Sequence, residues 1–320
     1  MFTDLPEAAL REHRSSQTEP ADFDRFWADT LAETRSHDLD VRVERVETGL
    51  ETLDVWDVTF AGWAGQPVRA WLRVPAGRTG PLPAVVQFVG YGGGRGAAVE
   101  NLFWASAGFA HLQMDTRGQG SGWSRGDTAD PDGSGPAHPG VMTRGIDSAE
   151  TYYYRRVFAD AVRAVEAARS LDVVDADRVS VVGGSQGGGI ALAVAALVPG
   201  LAAVAAYVPF LCDFRRATVI TDADPYKEIG RYLAVHRDRA SAVHEVLSYF
   251  DGVNFARRAT APAVFTTALM DPTCPPSTVF GAFHEYAGPA EITVWPYNGH
   301  EGGGVEDDLL ALAAFRAATA

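Results

Sequence analysis

Ser185 lies in the run Gly183-Gly184-Ser185-Gln186-Gly187, a G-x-S-x-G pattern with the chemistry of an exposed nucleophile. The β-branched run Arg178-Val179-Ser180-Val181-Val182 precedes it and suits a buried strand. A small, apolar run from Gly188 to Leu197 follows it and suits a buried helix. Strand, tight turn and helix together hold a serine in a sharp bend with its hydroxyl above the sheet. Glycines on both sides are then required, because a Cβ would collide with the adjoining strand and helix. The start of the helix adds free N–H groups and a dipole, both favourable to developing negative charge.

A hydroxyl is a poor nucleophile at neutral pH, so the pattern demands a base and an acid that orients it. In a strand–turn–helix setting they follow the serine in the order acid, then histidine. His284 and His300 lie well downstream. His284 falls inside a helical-looking stretch and reads as a surface residue. His300 sits in the glycine-rich Tyr297-Asn298-Gly299-His300-Glu301-Gly302-Gly303-Gly304, a flexible loop from which an imidazole can reach the serine. Asp271 directly follows the apolar run from Val264 to Met270 and is the preferred acid. Asp213, at the end of the preceding strand, is its rival. Asp222, Asp224 and Asp251 belong to an insertion and read as solvated carboxylates.

The oxyanion formed at an attacked carbonyl needs two aimed N–H groups. Gln186, next after the serine, supplies one, and the loop Gly90-Tyr91-Gly92-Gly93-Gly94-Arg95-Gly96 supplies the other, with Tyr91 the favoured donor. That loop is no phosphate cradle, since no Gly-Lys-Ser/Thr follows it. Asp115-Thr116-Arg117-Gly118-Gln119-Gly120 reads as a structural tie between loops. No Cys/His or Asp/Glu cluster has metal-ligand spacing, so no metal and no other cofactor is expected.

These residues need a scaffold, and the pattern of the chain describes one. Residues 20–36 form an amphipathic helix with Phe23, Phe26, Trp27 and Leu31 on one side. Residues 40–76 alternate in the β manner, with turns at Gly62 and Gly65-Gln66-Pro67. From Pro83 onward, strands at 84–89, 110–114, 179–182, 203–208, 263–268 and 292–295 alternate with helices such as 157–168. That alternation predicts an α/β domain over 1–320: a mostly parallel sheet flanked by helices, entered by antiparallel strands within 1–80. The charged, aromatic stretch 212–258 predicts a helical, cap-like insertion above the carboxyl ends of the strands.

Hydrophobic content of 47% with 21% charged residues fits a globular chain with a sizeable core. The net charge of −14 argues against nucleic acid and anionic membrane surfaces as partners. Met1–Glu7 has neither a basic nor an apolar signal region, and no apolar run is long enough to span a membrane. Cys212 and Cys274 read as buried free thiols, with the cytoplasm as the expected compartment.

Taken together, these motifs resemble the acetyl xylan esterase / cephalosporin C deacetylase family, carbohydrate esterase family 7. The resemblance runs from Glu19–Trp27 through the Tyr91 loop, Arg117-Gly118-Gln119-Gly120, Tyr152–Arg156, Gly183–Gly188 and Pro209–Arg216. It continues through Ser248–Phe255, Met270-Asp271, Cys274–Thr278 and His300-Glu301, with R-G-Q-G, G-x-S-Q-G and H-E intact and in order. It implies an α/β-hydrolase fold, a Ser185–Asp271–His300 triad, and oxyanion donors at the Tyr91 and Gln186 amides. It further implies deacetylation of small acetylated carbohydrates, such as xylo-oligosaccharides, and of cephalosporin C, by a homohexamer whose cavity admits small substrates. The competing readings are a carboxylesterase, thioesterase or peptidase using the same residues on another acyl group, and a non-catalytic binding protein on the same scaffold.

Overall fold

The computed structural model describes residues 2–132 and 135–320. Its sheet runs in the order β1-β2-β3-β5-β4-β6-β7-β8-β9. The strands are β1 (Arg42–Val46), β2 (Leu53–Ala61), β3 (Pro67–Pro75), β4 (Leu82–Phe88), β5 (Ala110–Met114), β6 (Val174–Gly184), β7 (Val204–Tyr207), β8 (Ala263–Ala268) and β9 (Ala290–Trp295). β1, β2, β3 and β5 pair antiparallel in succession. From β5 across β4 and on to β9 every pairing is parallel. The alternating entry and the later continuous apolar strands therefore join one sheet.

Helices α1 (Glu7–Glu12) and α2 (Phe23–Arg35) precede the sheet, and α3 (Phe103–Ser106), α4 (Tyr153–Arg169) and α5 (Gln186–Leu197) connect its middle strands. Between β7 and β8 come α6 (Phe214–Ile220), α7 (Tyr226–Val235), α8 (Ala240–Ser248) and α9 (Gly252–Ala256). α10 (Pro276–Glu285) and α11 (Val305–Ala318) complete the chain. Strand periodicity assigns the two faces of the sheet. Ala84, Val86, Phe88, Val179 and Val181 join the large core that includes residues of α4 and α5. Val85 and Val182, one position out of phase, meet Trp104, Ala311 and Phe315 on the α3 and α11 side.

β4 hands the chain on to β5 on one side of it, whereas β6 lies on its other side. Such a reversal opens a crevice at the carboxyl ends of the two strands, where ligands bind in open α/β sheets. The Tyr91 loop leaves β4 and Ser185 leaves β6, so both emerge at that crevice.

α4 begins at Tyr153, several residues before the apolar spacing suggests, because Tyr152, Tyr153 and Tyr154 are themselves fully buried. The aromatic stripe of α2 explains how the N-terminal helix is held. Phe23 meets Phe255 at 5.2 Å between ring centroids, and Trp27 meets Phe250 at 5.5 Å and Phe158 at 5.8 Å. The Trp27 indole N–H donates to the Tyr249 carbonyl at 2.9 Å. One buried ring thus joins α2, α4 and the end of the insertion. Trp27→Ala should lower unfolding stability by about 3–5 kcal/mol in urea titrations; a loss below about 1 kcal/mol would show that the cluster does not carry this coupling.

Candidate active site

Ser185 is the bend between β6 and α5, with φ 55° and ψ −120°. Its clearance matches the expectation from sequence. A Cβ on Gly183 would lie 2.2 Å from the Gly187 carbonyl carbon, and one on Gly187 would lie 2.2 Å from the Phe88 carbonyl oxygen. The serine amide donates to the Tyr207 carbonyl at 2.9 Å, and its own carbonyl accepts from Phe210 N at 2.9 Å. Both neighbours of β6 therefore shape the bend.

His300 Nε2 stands 2.9 Å from Ser185 Oγ, and His300 Nδ1 stands 2.9 Å from Asp271 Oδ2. Asp271 is fully buried, and its Oδ1 accepts from Thr273 N at 2.8 Å and Cys274 N at 3.0 Å. The loop carrying His300 is pinned as well as glycine-rich. Glu301 Oε1 accepts from Asn298 Nδ2 and Gly299 N, both at 3.1 Å. Its own backbone N–H, then those of Gly299 and the Asn298 amide, hold its carboxyl below the usual carboxylate range. Asp307 anchors the far end by accepting from Gly303 N at 2.9 Å and Trp295 Nε1 at 2.8 Å.

Asp271, Cys274 and His300 bring potential metal-ligand atoms within 4.8 Å of one another. Both imidazole nitrogens and both carboxylate oxygens are already engaged in the hydrogen bonds above. Burial and the Asp271 charge push the Cys274 thiol well up, which favours the protonated form over the thiolate a metal would need. The arrangement is a hydrogen-bond chain running from the serine hydroxyl through the imidazole to the buried carboxylate.

Among the described residues, neither the Tyr91 nor the Gln186 amide hydrogen-bonds within the chain. Their side chains, by contrast, are fully occupied. Gln186 Nε2 donates to the Val89 carbonyl at 3.0 Å, and its Oε1 accepts from Gln119 Nε2 and Tyr154 Oη, both at 2.8 Å. Gln119 Oε1 in turn accepts from Gly92 N at 2.7 Å. The R-G-Q-G segment, read as structural, is thereby bonded to both loops that present free amides.

Glu228 on α7 is a site residue that sequence reasoning did not find. Tyr91 Oη donates to Glu228 Oε1 at 2.6 Å and accepts from Val141 N at 2.8 Å. Glu228 Oε2 accepts from Met142 N at 3.1 Å. Burial raises the Glu228 carboxyl, and burial with the adjacent carboxylate raises the Tyr91 phenol. No local motif marks this contact, because it joins residues far apart in sequence.

Other expectations need correction. Asp251 is fully buried rather than solvated, and it accepts from Asp213 N, Phe214 N and Val253 N, each at 2.9 Å. Three backbone donors made burial of this carboxylate affordable where sequence suggested only a polar insertion. Asp222 and Asp224, in contrast, are exposed as expected and pair with Lys227 and Arg231. His284 is partly buried, with its Nδ1 at 2.6 Å from the His13 carbonyl, so it is tied to the N-terminal segment. Asp213 is buried, and among the described residues its Oδ2 has no hydrogen-bond partner.

Fold and site geometry together are those of an α/β hydrolase. The chain belongs to the acetyl xylan esterase family, a family of carboxylic ester hydrolases whose model matches residues 1–313. It is similar to the solved acetyl xylan esterase from Paenibacillus sp. R4, with 37% identity, TM-score 0.92, and coverage of 97% of this chain and 99% of that one. Acetyl xylan esterase 1 from Thermoanaerobacterium sp. JW/SL YS485 is similar at 33% identity and TM-score 0.89, over 98% and 99% of the two chains. Among curated proteins, acetyl esterase Axe7A of Xylanibacter ruminicola is 28% identical over 283 residues, which are 88% of this chain. The match spans 63% of that relative's length. Among the described residues no helix is long and apolar enough to cross a membrane.

Asp251 yields a pH prediction. Burial, then the charge of Asp213, push its carboxyl up to about 7 against the resisting backbone donors. A folded-state value above the unfolded one near ~4 means that the folded chain holds the proton more tightly. Stability from this group is therefore full below about pH 4 and is lost as pH rises to about 7. Asp213→Asn removes one cause, so its gain in Tm over wild type should be larger at pH 8 than at pH 5. Equal gains in thermal unfolding at both pH values would exclude Asp213 as the source.

Proposed function

We propose that this protein is a serine esterase that removes acetyl groups from small acetylated carbohydrates, such as xylo-oligosaccharides, and from cephalosporin C, through an acetyl-enzyme. The observation that carries the reading is the continuous Ser185–His300–Asp271 hydrogen-bond chain, at 2.9 Å per link, beside two free amides. Ser185 Oγ bonds to the ester carbonyl carbon as its proton passes to His300 Nε2. Asp271 holds the ring by Nδ1 and balances the imidazolium charge. The carbonyl oxygen becomes an oxyanion that accepts from the Tyr91 and Gln186 N–H groups at the start of α5. The carbon–oxygen bond to the sugar then breaks, and His300 returns its proton to the departing hydroxyl. Water repeats the sequence on acetyl-Ser185: His300 removes its proton, acetate leaves, and the proton goes back to Ser185.

The side-chain network supports this assignment of the oxyanion donors. Removing a single such donor costs about 10²–10³ in rate in enzymes of this kind, so the placement of each amide is worth defending structurally. Gln119 bridges the two loops, while Glu228 holds the Tyr91 ring from the insertion. The unpaired, buried Cys212 and Cys274 fit a reducing compartment such as the cytoplasm.

Ser185→Ala should reduce kcat on p-nitrophenyl acetate by about 10⁶-fold. In the same assay Asp271→Asn should cost far more than Asp213→Asn. Activity of Ser185→Ala within tenfold of wild type would remove Ser185 as the nucleophile, and the reverse order of the two aspartate variants would transfer the acid role to Asp213.

A further inference from the structure

Trp123 is 67% exposed although it stands beside the buried machinery. Its indole N–H donates to the Tyr91 carbonyl at 2.8 Å, which fixes the ring and leaves only its faces for other contacts. The ring lies against Gly93, where a Cβ would be 2.3 Å from Trp123 Cζ2. Gly90 lies between the indole and the serine: a Cβ there would sit 3.5 Å from Trp123 Cζ2 and 4.0 Å from Ser185 Cβ. An indole needed only for its hydrogen bond could be covered. This one is anchored and open.

Two clefts meet at this ring. One of about 270 Å³ reaches Ser185 and Gly184 past Gly90, with Trp123 and Asn101 in its wall. The other, of about 580 Å³, is lined by Trp123 and Asn101 together with Glu100, Ser124 and Arg125. Glu100 is fixed through one carboxylate oxygen, which accepts from Ala97 N at 2.9 Å. The Arg125 side chain is exposed, while its carbonyl accepts from Gly96 N at 2.8 Å. An aromatic face leading to carboxylate, amide, hydroxyl and guanidinium groups does not suit a fatty chain. It suits a ring whose C–H groups, made electropositive by adjacent oxygens, meet the negative π face while its hydroxyls point to polar walls.

We propose that Trp123 is a stacking platform for the pyranose ring that carries the acetate, and that the adjoining cleft binds the next sugar. The assignment rests on the esterase reading above and narrows its substrate to acetylated disaccharides and longer oligosaccharides. The acetate reaches Ser185, its own ring lies on the indole, and the second ring is contacted by Glu100, Asn101, Ser124 and Arg125.

The test compares kcat/KM on ethyl acetate, an acetylated methyl xyloside and acetylated xylobiose. Ethyl acetate has no ring, so hydrolysis of it by the wild type reports the esterase reading independently of the platform. Trp123→Phe loses the bond to Tyr91 and keeps a ring; Trp123→Ala loses both. Relative to ethyl acetate, both sugar substrates should fall about three- to tenfold further in Trp123→Ala than in Trp123→Phe. Arg125→Ala should lower the ratio of xylobiose to xyloside kcat/KM about threefold or more. Equal sugar-to-ethyl-acetate ratios in the two Trp123 variants would overturn the platform. An unchanged disaccharide ratio in Arg125→Ala would overturn the second sugar site. Failure of the wild type on ethyl acetate would instead count against the esterase reading itself.

Discussion

The bend at Ser185 is the constraint on which the site depends. A side chain at φ 55°, ψ −120° stores on the order of 1–3 kcal/mol, and such a conformation persists only where its surroundings impose it. The imposition comes from a second bent segment. After β7, Val208, Leu211 and Asp213 all take positive φ, at 37°, 66° and 48°. This strained path places Phe210 N on the Ser185 carbonyl. It is held in turn by the insertion: Tyr226 Oη donates to the Cys212 carbonyl at 2.8 Å, and Asp251 takes the Asp213 and Phe214 amides. The inserted helices thus help to maintain the backbone of the serine.

A second set of buried contacts joins the N-terminal strands to the same site. Arg117 Nε and Nη2 donate to the two oxygens of Asp160 at 2.6 and 2.8 Å, with both side chains essentially unexposed. Asp160 Oδ1 also accepts from Trp63 N at 2.8 Å, next to the turn between β2 and β3. Replacing such a pair by apolar groups is often neutral for stability, so its value here is better understood as placement. The Arg117 carbonyl accepts from Tyr153 Oη at 2.5 Å, and the adjacent Gln119 bonds Tyr153, Gly92 and Gln186. A displacement of Arg117 would therefore reach both loops that present free amides.

The legible parts of this architecture were those written in local pattern. Continuous apolar runs located the parallel strands, and Phe23, Phe26, Trp27 and Leu31 located the docked face of α2. Chain order and strand ends were enough to choose Ser185, Asp271 and His300 as candidates, because this fold delivers loops to one edge of its sheet. Long-range pairings were not legible. Glu228 looks like any helical glutamate until folding puts the Tyr91 phenol 2.6 Å away. Asp251 carries an acidic side chain in a polar stretch, and only the tertiary fold gives it three backbone donors and buries it completely. Trp123 carried no signal in the sequence, and only the fold shows its ring lying on glycine and open to solvent.

Asp213 and Asp271 both follow strands at the carboxyl edge of the sheet, so position ranks Asp271 first but does not set the two apart. Their surroundings do. Asp213 shares a buried region with the Asp251 carboxyl, which its charge pushes further up, and its backbone is committed to the cap of α6. Asp271 receives Thr273 N and Cys274 N on one oxygen, leaving the other for the His300 ring. A carboxylate orients an imidazole best when its remaining lone pairs are satisfied and no second buried carboxyl competes for the proton. Asp271 has its remaining oxygen satisfied by Thr273 N and Cys274 N, whereas Asp213 lies beside the buried Asp251 carboxyl. The His300 ring accordingly meets Asp271 and not Asp213, whose Oδ2, beside the Asp251 carboxyl, has no hydrogen-bond partner among the described residues.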